Sequence, residues 1–160
     1  MKQSALSTWL KFIIIGVGIC GLIVYGTVIP MLGQALAEYL HGAFDHCYWP
    51  WLVLIWITAI PCYMVLVLAW KIASNIGLDK SFTVANAKYL KWISFLAIAD
   101  AVIFFGGNIV YLFMNLNHPS IVLFSLLVVF VGVAVAIASA ALSHLVLKAE
   151  ELQEQSDWTI

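Results

Sequence analysis

The chain contains no arginine, and charged side chains of every kind make up only 9% of its 160 residues. A soluble domain carries about 25%, so this composition excludes water as the main solvent of the molecule. With a formal net charge of −1 the chain also has no basic face to offer, which excludes direct nucleic-acid binding. No G-x-S-x-G, H-E-x-x-H, Walker-type or kinase pattern occurs, so no enzyme class is indicated and no cofactor is expected. Three cysteines cannot build a disulfide framework.

What is abundant is apolar sequence. Hydrophobic residues make up 64% of the chain, and mean hydropathy is +1.06. Four runs, Phe12–Leu32, Trp51–Trp70, Trp92–Met114 and Ile121–Leu147, reach the roughly 20 residues a helix needs to cross a bilayer. Only Asp100 and His144 interrupt them with groups that can carry charge. Backbone amides in lipid must be paired, which leaves helices or a closed barrel. Barrel strands alternate in polarity, and IIIGVGICGLIV does not. The expected fold is an all-α, four-transmembrane-helix bundle forming one membrane domain over residues 1–160, with residues 148–160 as an acidic tail.

The lysines orient it. Lys2, Lys11, Lys71, Lys80, Lys88, Lys91 and Lys148 all fall on one side of a four-span layout. Positive-inside bias places that side, with both termini, in the cytoplasm of a bacterial inner membrane. Trp51, Trp70 and Trp92 sit at span ends, where indoles anchor. Ala35-Leu36-Ala37 after the first run mimics a signal-peptidase site, but the run exceeds the 7–15 apolar residues usual for a signal peptide, so an uncleaved first span is expected. Only Cys47 then lies on the oxidising side, and free thiols are expected.

Several patterns inside the spans carry chemistry or packing. Gly16 to Gly21 spells G-x-G-x-x-G, but within a membrane run it reads as small residues that admit a neighbouring helix. Gly18, Gly21 and Tyr25 share one face; Gly132, Ala136 and Ala140 offer a matching smooth face on the fourth span. Asp100 has no cation in any span to neutralise it, and should be protonated or bonded to a hydroxyl, amide or indole. Phe104, Gly107 and Tyr111 share its face, with Asn108 adjacent. Counted from the lysine-bearing ends, Cys20, Cys62, Asp100 and Ser139 all lie about 12 Å deep. They could form a polar layer serving a proton, metal or small ligand, or simply pack.

The segment Gly33–Pro50 carries Gln34, Glu38, His41 and Asp45 as one polar stripe. It reads as a short amphipathic outer helix, or a bent continuation of the first span past Pro30. Glu38, His41, Asp45, His46 and Cys47, with His118 from the other outer loop, are candidate metal ligands. Their spacing matches no closed zinc motif, a solvated helix face explains them equally well, and no metal is predicted.

LDKSFTVANAKYLKW, Leu78 to Trp92, reads as a hairpin into the third span, with Gly77 closing one helix and Ser81 or Thr83 capping the next. The tail, KAEELQEQSDWTI, continues the last helix a turn or two beyond the membrane. Together these segments resemble the bacterial domain-of-unknown-function family 2975. Ser81, Phe82, Asn86 and Leu90 match its loop signature in spacing. Phe82 and Ser81 are inverted from the usual phenylalanine-serine order, and Thr83 stands where that serine would be. EELQEQSDWTI is similar to its Leu-x-x-Glu-x-Asp-Leu-Thr-hydrophobic ending, with Trp158 in place of leucine. The resemblance implies a small four-span inner-membrane protein without catalytic residues. Members are often encoded beside a small Cro-like helix-turn-helix regulator.

Three functions follow as expectations. The first is a non-enzymatic sensing or regulatory membrane protein that holds such a regulator through Phe82, Asn86, Leu152, Glu154, Asp157, Trp158 and Ile160. The second is a small transporter or channel subunit working as a homo-oligomer, a homodimer for instance, past Asp100 and Asn108. The third is a membrane enzyme using the thiols or outer histidines, for which no motif speaks.

Overall fold

A computed structural model describes residues 3–39 and 45–157. Its elements are α1 (Gln3–Ile23), a π-helical segment (Val24–Val28), α2 (Ile29–Tyr39), α3 (Asp45–Gly77), α4 (Val84–Phe113) and α5 (Pro119–Asp157). No strand occurs among the described residues. Four helical runs are long and apolar enough to cross a membrane: Gln3–Ala35, His46–Gly77, Val84–Phe113 and Pro119–Ser156. Each begins before its apolar run, and all but the third, which stops at Phe113, also end beyond it. The outer segment takes the second of its two expected forms, because α2 carries the first span on past Pro30 to Tyr39. His41 lies outside the described residues, as do Trp158 and Ile160 at the other end of the chain.

The π segment has a local cause. Pro30 has no N–H, so the helix cannot keep its regular ladder there. The Ile29 N–H bonds to Val24 O, five residues back, instead of Tyr25 O. Tyr25 O therefore loses its helical donor, and the next candidate is the proline itself. The indole Nε1–H of Trp56 on α3 donates to it at 3.1 Å. One proline thus requires one tryptophan on the neighbouring helix.

The spans do not close into a bundle. Among the described residues, α1 packs on α3, α3 on α4 and α4 on α5, with no close backbone approach between α1 and either α4 or α5. The result is an open row in chain order. Small residues make the contacts tight: a Cβ on Gly21 would lie 2.8 Å from Tyr63 Oη, and one on Gly132 would lie 3.3 Å from Ala101 Cβ. Both smooth faces noted in the sequence are therefore used, but on different neighbours rather than on each other. Ala140 is exposed, because the buried stripe of α5 runs through Ser125, Ala136, Ser139 and Ser143. From Ala136 the stripe continues at three and seven residues, to Ser139 and Ser143, and Ala140 falls on the opposite side of Ala136 from both.

The α3–α4 and α4–α5 turns are both closed by side chains. α4 ends in a Schellman motif: Leu116 N–H bonds to Tyr111 O and Asn115 N–H to Leu112 O, with Asn115 at φ 57°. Asn108, 0% exposed, accepts from Asn117 Nδ2 at 2.8 Å and donates to Phe104 O at 2.8 Å. His118 Nδ1 accepts from the Ser120 N–H at 3.2 Å at the start of α5.

Candidate functional sites

Two sites emerge, one at the lysine-bearing end and one at membrane depth. The first begins where α3 stops. Asp79 takes φ 58°, and Lys80 N–H reaches back to Asn75 O at 3.0 Å, turning the chain. Thr83, extended at φ −139°, caps α4 by accepting from the Asn86 N–H at 3.4 Å. The Asn86 side chain is 1% exposed and fully used. Its Oδ1 accepts from Asn75 Nδ2 at 2.7 Å, and its Nδ2 donates to Lys80 O at 3.0 Å and Ser81 O at 2.9 Å. Asn86 is therefore the pin of the hairpin, and its burial removes it from any surface a partner could reach. α3 ends at Gly77, as the sequence reading has it, and Gly77 has a second task as well. The left-handed residue of the turn is Asp79, while a Cβ on Gly77 would meet Ser7 Oγ at 2.7 Å. That hydroxyl, buried, donates to Ala73 O at 2.6 Å and holds α1 against α3.

The pinned hairpin faces the end of α5. Ser81 Oγ donates to Gln3 Oε1 at 3.2 Å, bringing in the start of α1. Asp79, Lys80, Phe82, Glu150, Gln153 and Glu154 line much of the resulting cleft of about 360 Å³. Three carboxylates face one ammonium group there, so the cleft is acidic. Phe82, 54% exposed, and Leu152, 59% exposed, are apolar groups at this end of the molecule. Hairpin and tail, far apart in sequence, form one surface. Asp157 ends α5, and its side chain lies outside the described residues.

The second site joins three helices. Cys62 Sγ on α3 donates to Asp100 Oδ2 on α4 at 3.6 Å, and Tyr25 Oη from the π segment donates to Cys62 Sγ at 4.0 Å. Asp100 Oδ1 is buried and has no hydrogen-bond partner among the described residues. The donor is thus a thiol, not the hydroxyl, amide or indole expected. Of the four residues proposed for the polar layer, and Asn108 near them, only Cys62 and Asp100 meet. Cys20 is exposed on α1, which does not approach α4. Ser139 is buried on the α5 stripe, and Asn108 serves the α4–α5 turn. Tyr25 is the member missed. Pro30, five residues on, was the available signal, because it forces the backbone irregularity that sets Tyr25 beside Trp56.

The candidate metal ligands do not converge. Glu38 and His46 are exposed on different helices, the Asp45 side chain and His41 lie outside the described residues, and His118 is engaged with Ser120. Among the described residues no three histidine, cysteine or carboxylate groups could hold an ion together.

Four long apolar helices, with lysines gathered at one end and a lone acid at depth, define an integral membrane protein. A family model described as a protein of unknown function (DUF2975) matches residues 31–160, and the chain belongs to that family. It is 26% identical, over 99% of its own length and 99% of the relative's, to the uncharacterized membrane protein YoaS of Bacillus subtilis (strain 168). No solved structure matches.

Proposed function

We propose that this chain is a non-enzymatic regulatory protein of the bacterial inner membrane that holds a basic protein partner at its cytoplasmic end. The supporting observation is the cleft in which hairpin and tail meet, where Asp79, Glu150 and Glu154 outnumber Lys80. A DNA-binding protein carries a basic face for phosphates, and an acidic cleft with exposed Phe82 and Leu152 nearby would complement it. The family resemblance makes a small helix-turn-helix regulator the expected partner, held off DNA while docked.

Sidedness supports the reading, since ammonium groups resist translocation. An impermeant maleimide should label Glu38→Cys in intact cells and Lys80→Cys only after permeabilisation. The partner test is co-purification of co-expressed regulator with the full chain. The triple change Asp79→Asn, Glu150→Gln, Glu154→Gln should abolish it while leaving membrane insertion intact. Unchanged co-purification would refute the docking surface.

A second reading, a homodimeric transporter or channel, is favoured by one observation: Asp100 and Cys62 meet at membrane depth in a row of helices that is open to a second copy. Asp100→Asn should then abolish flux through reconstituted vesicles.

A further inference from the structure

We infer that Asp100, Cys62, Tyr25 and Trp56 form an intramembrane binding site for a lipophilic monovalent cation, reached from the bilayer. The inference goes beyond both functional readings, because binding requires neither a docked partner nor transport.

The argument starts from an unbalanced group. No lysine occurs inside the apolar runs that bracket Asp100, and the chain has no arginine. Its one hydrogen-bond donor among the described residues is the Cys62 thiol, which is a weak donor. Oδ1 is buried without any partner. Acids at this depth normally pair with a cation or with backbone, since the unpaired form is costly. This carboxyl therefore retains an electrostatic capacity that the chain itself does not use.

The surroundings select the kind of cation. An inorganic ion such as Mg²⁺ or Ca²⁺ needs about six or more oxygen ligands. Here one carboxyl is accompanied by a thiol, a phenol and an indole, and no metal-holding group occurs among the described residues. A cation wrapped in its own apolar substituents needs only one counter-charge and an aromatic surface. Tyr25, whose hydroxyl donates to Cys62 Sγ, supplies that surface, and the Trp56 indole holds its backbone in place through the bond to Tyr25 O. Aromatic faces recognise quaternary cations by the ring quadrupole. The approach is lateral, over Cys62, which is exposed, and past Gly26, beside Tyr25, where a Cβ would meet nothing within 4 Å; Oδ1 itself is buried, so a bound cation would lie against the Cys62 side of the carboxyl. In a bilayer these positions face acyl chains, where lipophilic cations partition.

The test uses the purified full chain in nanodiscs and tetraphenylphosphonium as probe. Wild-type protein should bind it saturably, and Asp100→Asn should weaken binding by about tenfold or more, as expected for loss of a desolvated charge partner. Because that variant can also disturb packing, a wild-type measurement accompanies it. Dicyclohexylcarbodiimide should add covalently to Asp100, detected by mass spectrometry of the peptide, and tetraphenylphosphonium should protect it. Absence of saturable binding, equal binding by Asp100→Asn, or modification of Asp100 without protection would each overturn the inference; the last would mean a proton site only.

Discussion

Replacing Asn86 by alanine should unlatch the hairpin that builds the acidic cleft. The side chain makes three hydrogen bonds while 1% exposed, to Asn75 Nδ2, Lys80 O and Ser81 O. A net hydrogen bond contributes about 0.5–1.5 kcal/mol, so complete loss would cost roughly 2–4 kcal/mol. The two freed carbonyls lie at the polar end of the molecule, where water can take over part of their bonding, which places the expected loss near about 2 kcal/mol. The cavity left by the amide is small. The local consequence matters more: Lys80 and Ser81 O lose their shared donor, so Asp79, Lys80 and Phe82 no longer hold their positions over Glu150 and Glu154. Unfolding in mixed micelles with increasing dodecyl sulfate gives the stability. Asn86→Asp, which sets a carboxylate oxygen against the Lys80 and Ser81 carbonyls that the amide donates to, should cost more than alanine. If Asn86→Ala lies within about 0.5 kcal/mol of wild type, the usual range for an ordinary surface change, the hairpin does not depend on this side chain and the account given for it is wrong.

Two further predictions concern helix contacts. Gly77→Ala should destabilise by about 1–3 kcal/mol through overpacking, and Ser7→Gly should restore much of that, because the new Cβ would meet Ser7 Oγ at 2.7 Å and Ser7 Cβ at 3.0 Å; denaturant titration of the four members of the cycle checks it. Trp56→Phe should cost up to about 1.7 kcal/mol, the upper end for hydrogen bonds within membranes, because Tyr25 O has no other donor. In a Pro30→Ala background the new N–H can serve the freed carbonyls, so the same substitution should cost measurably less.

Much of this architecture was legible in the sequence because length and charge act one residue at a time. A run such as Trp92–Met114 must be helical in lipid wherever its neighbours lie. Asp100 announced itself for the same reason, and counting from the span ends placed Cys62 at its level. Pairing of helices is different. Gly18, Gly21, Gly132 and Ala136 say that a helix can be approached closely but not by which neighbour, so the order of the open row was hidden. Asn86 was read as a docking residue because its environment depends on the backbone of a turn. Asp79 at positive φ and the Thr83 cap bring two carbonyls onto one amide. Tyr25 shares a face with Gly18 and Gly21, as the regular count assigns, and that face packs on α3; what stayed hidden was its partners there, since nothing local in the sequence pairs Tyr25 with Cys62 or Trp56.

The open row assigns α4 a particular place in any coupling between the two sites. Among the described residues α5 packs on α4 and α1 on α3, so along the spans the middle pair carries what passes from one side of the row to the other, while Gln3 at the start of α1 meets the hairpin directly through Ser81. α4 bears Asn86 at the hairpin and Asp100 about 21 Å along the axis. Ser143 of α5 donates to Ala87 O, the residue after Asn86, at 2.7 Å, tying the helix that ends in Glu150 and Glu154 to the base of the hairpin. A shift of α4 caused by occupation at Asp100 would therefore move the hairpin and the tail helix together. Disrupting the link with Ser143→Ala should leave tetraphenylphosphonium binding unchanged, while any effect of that cation on regulator co-purification is lost. If the cation still alters co-purification in Ser143→Ala, the two sites communicate by a route other than this hydroxyl.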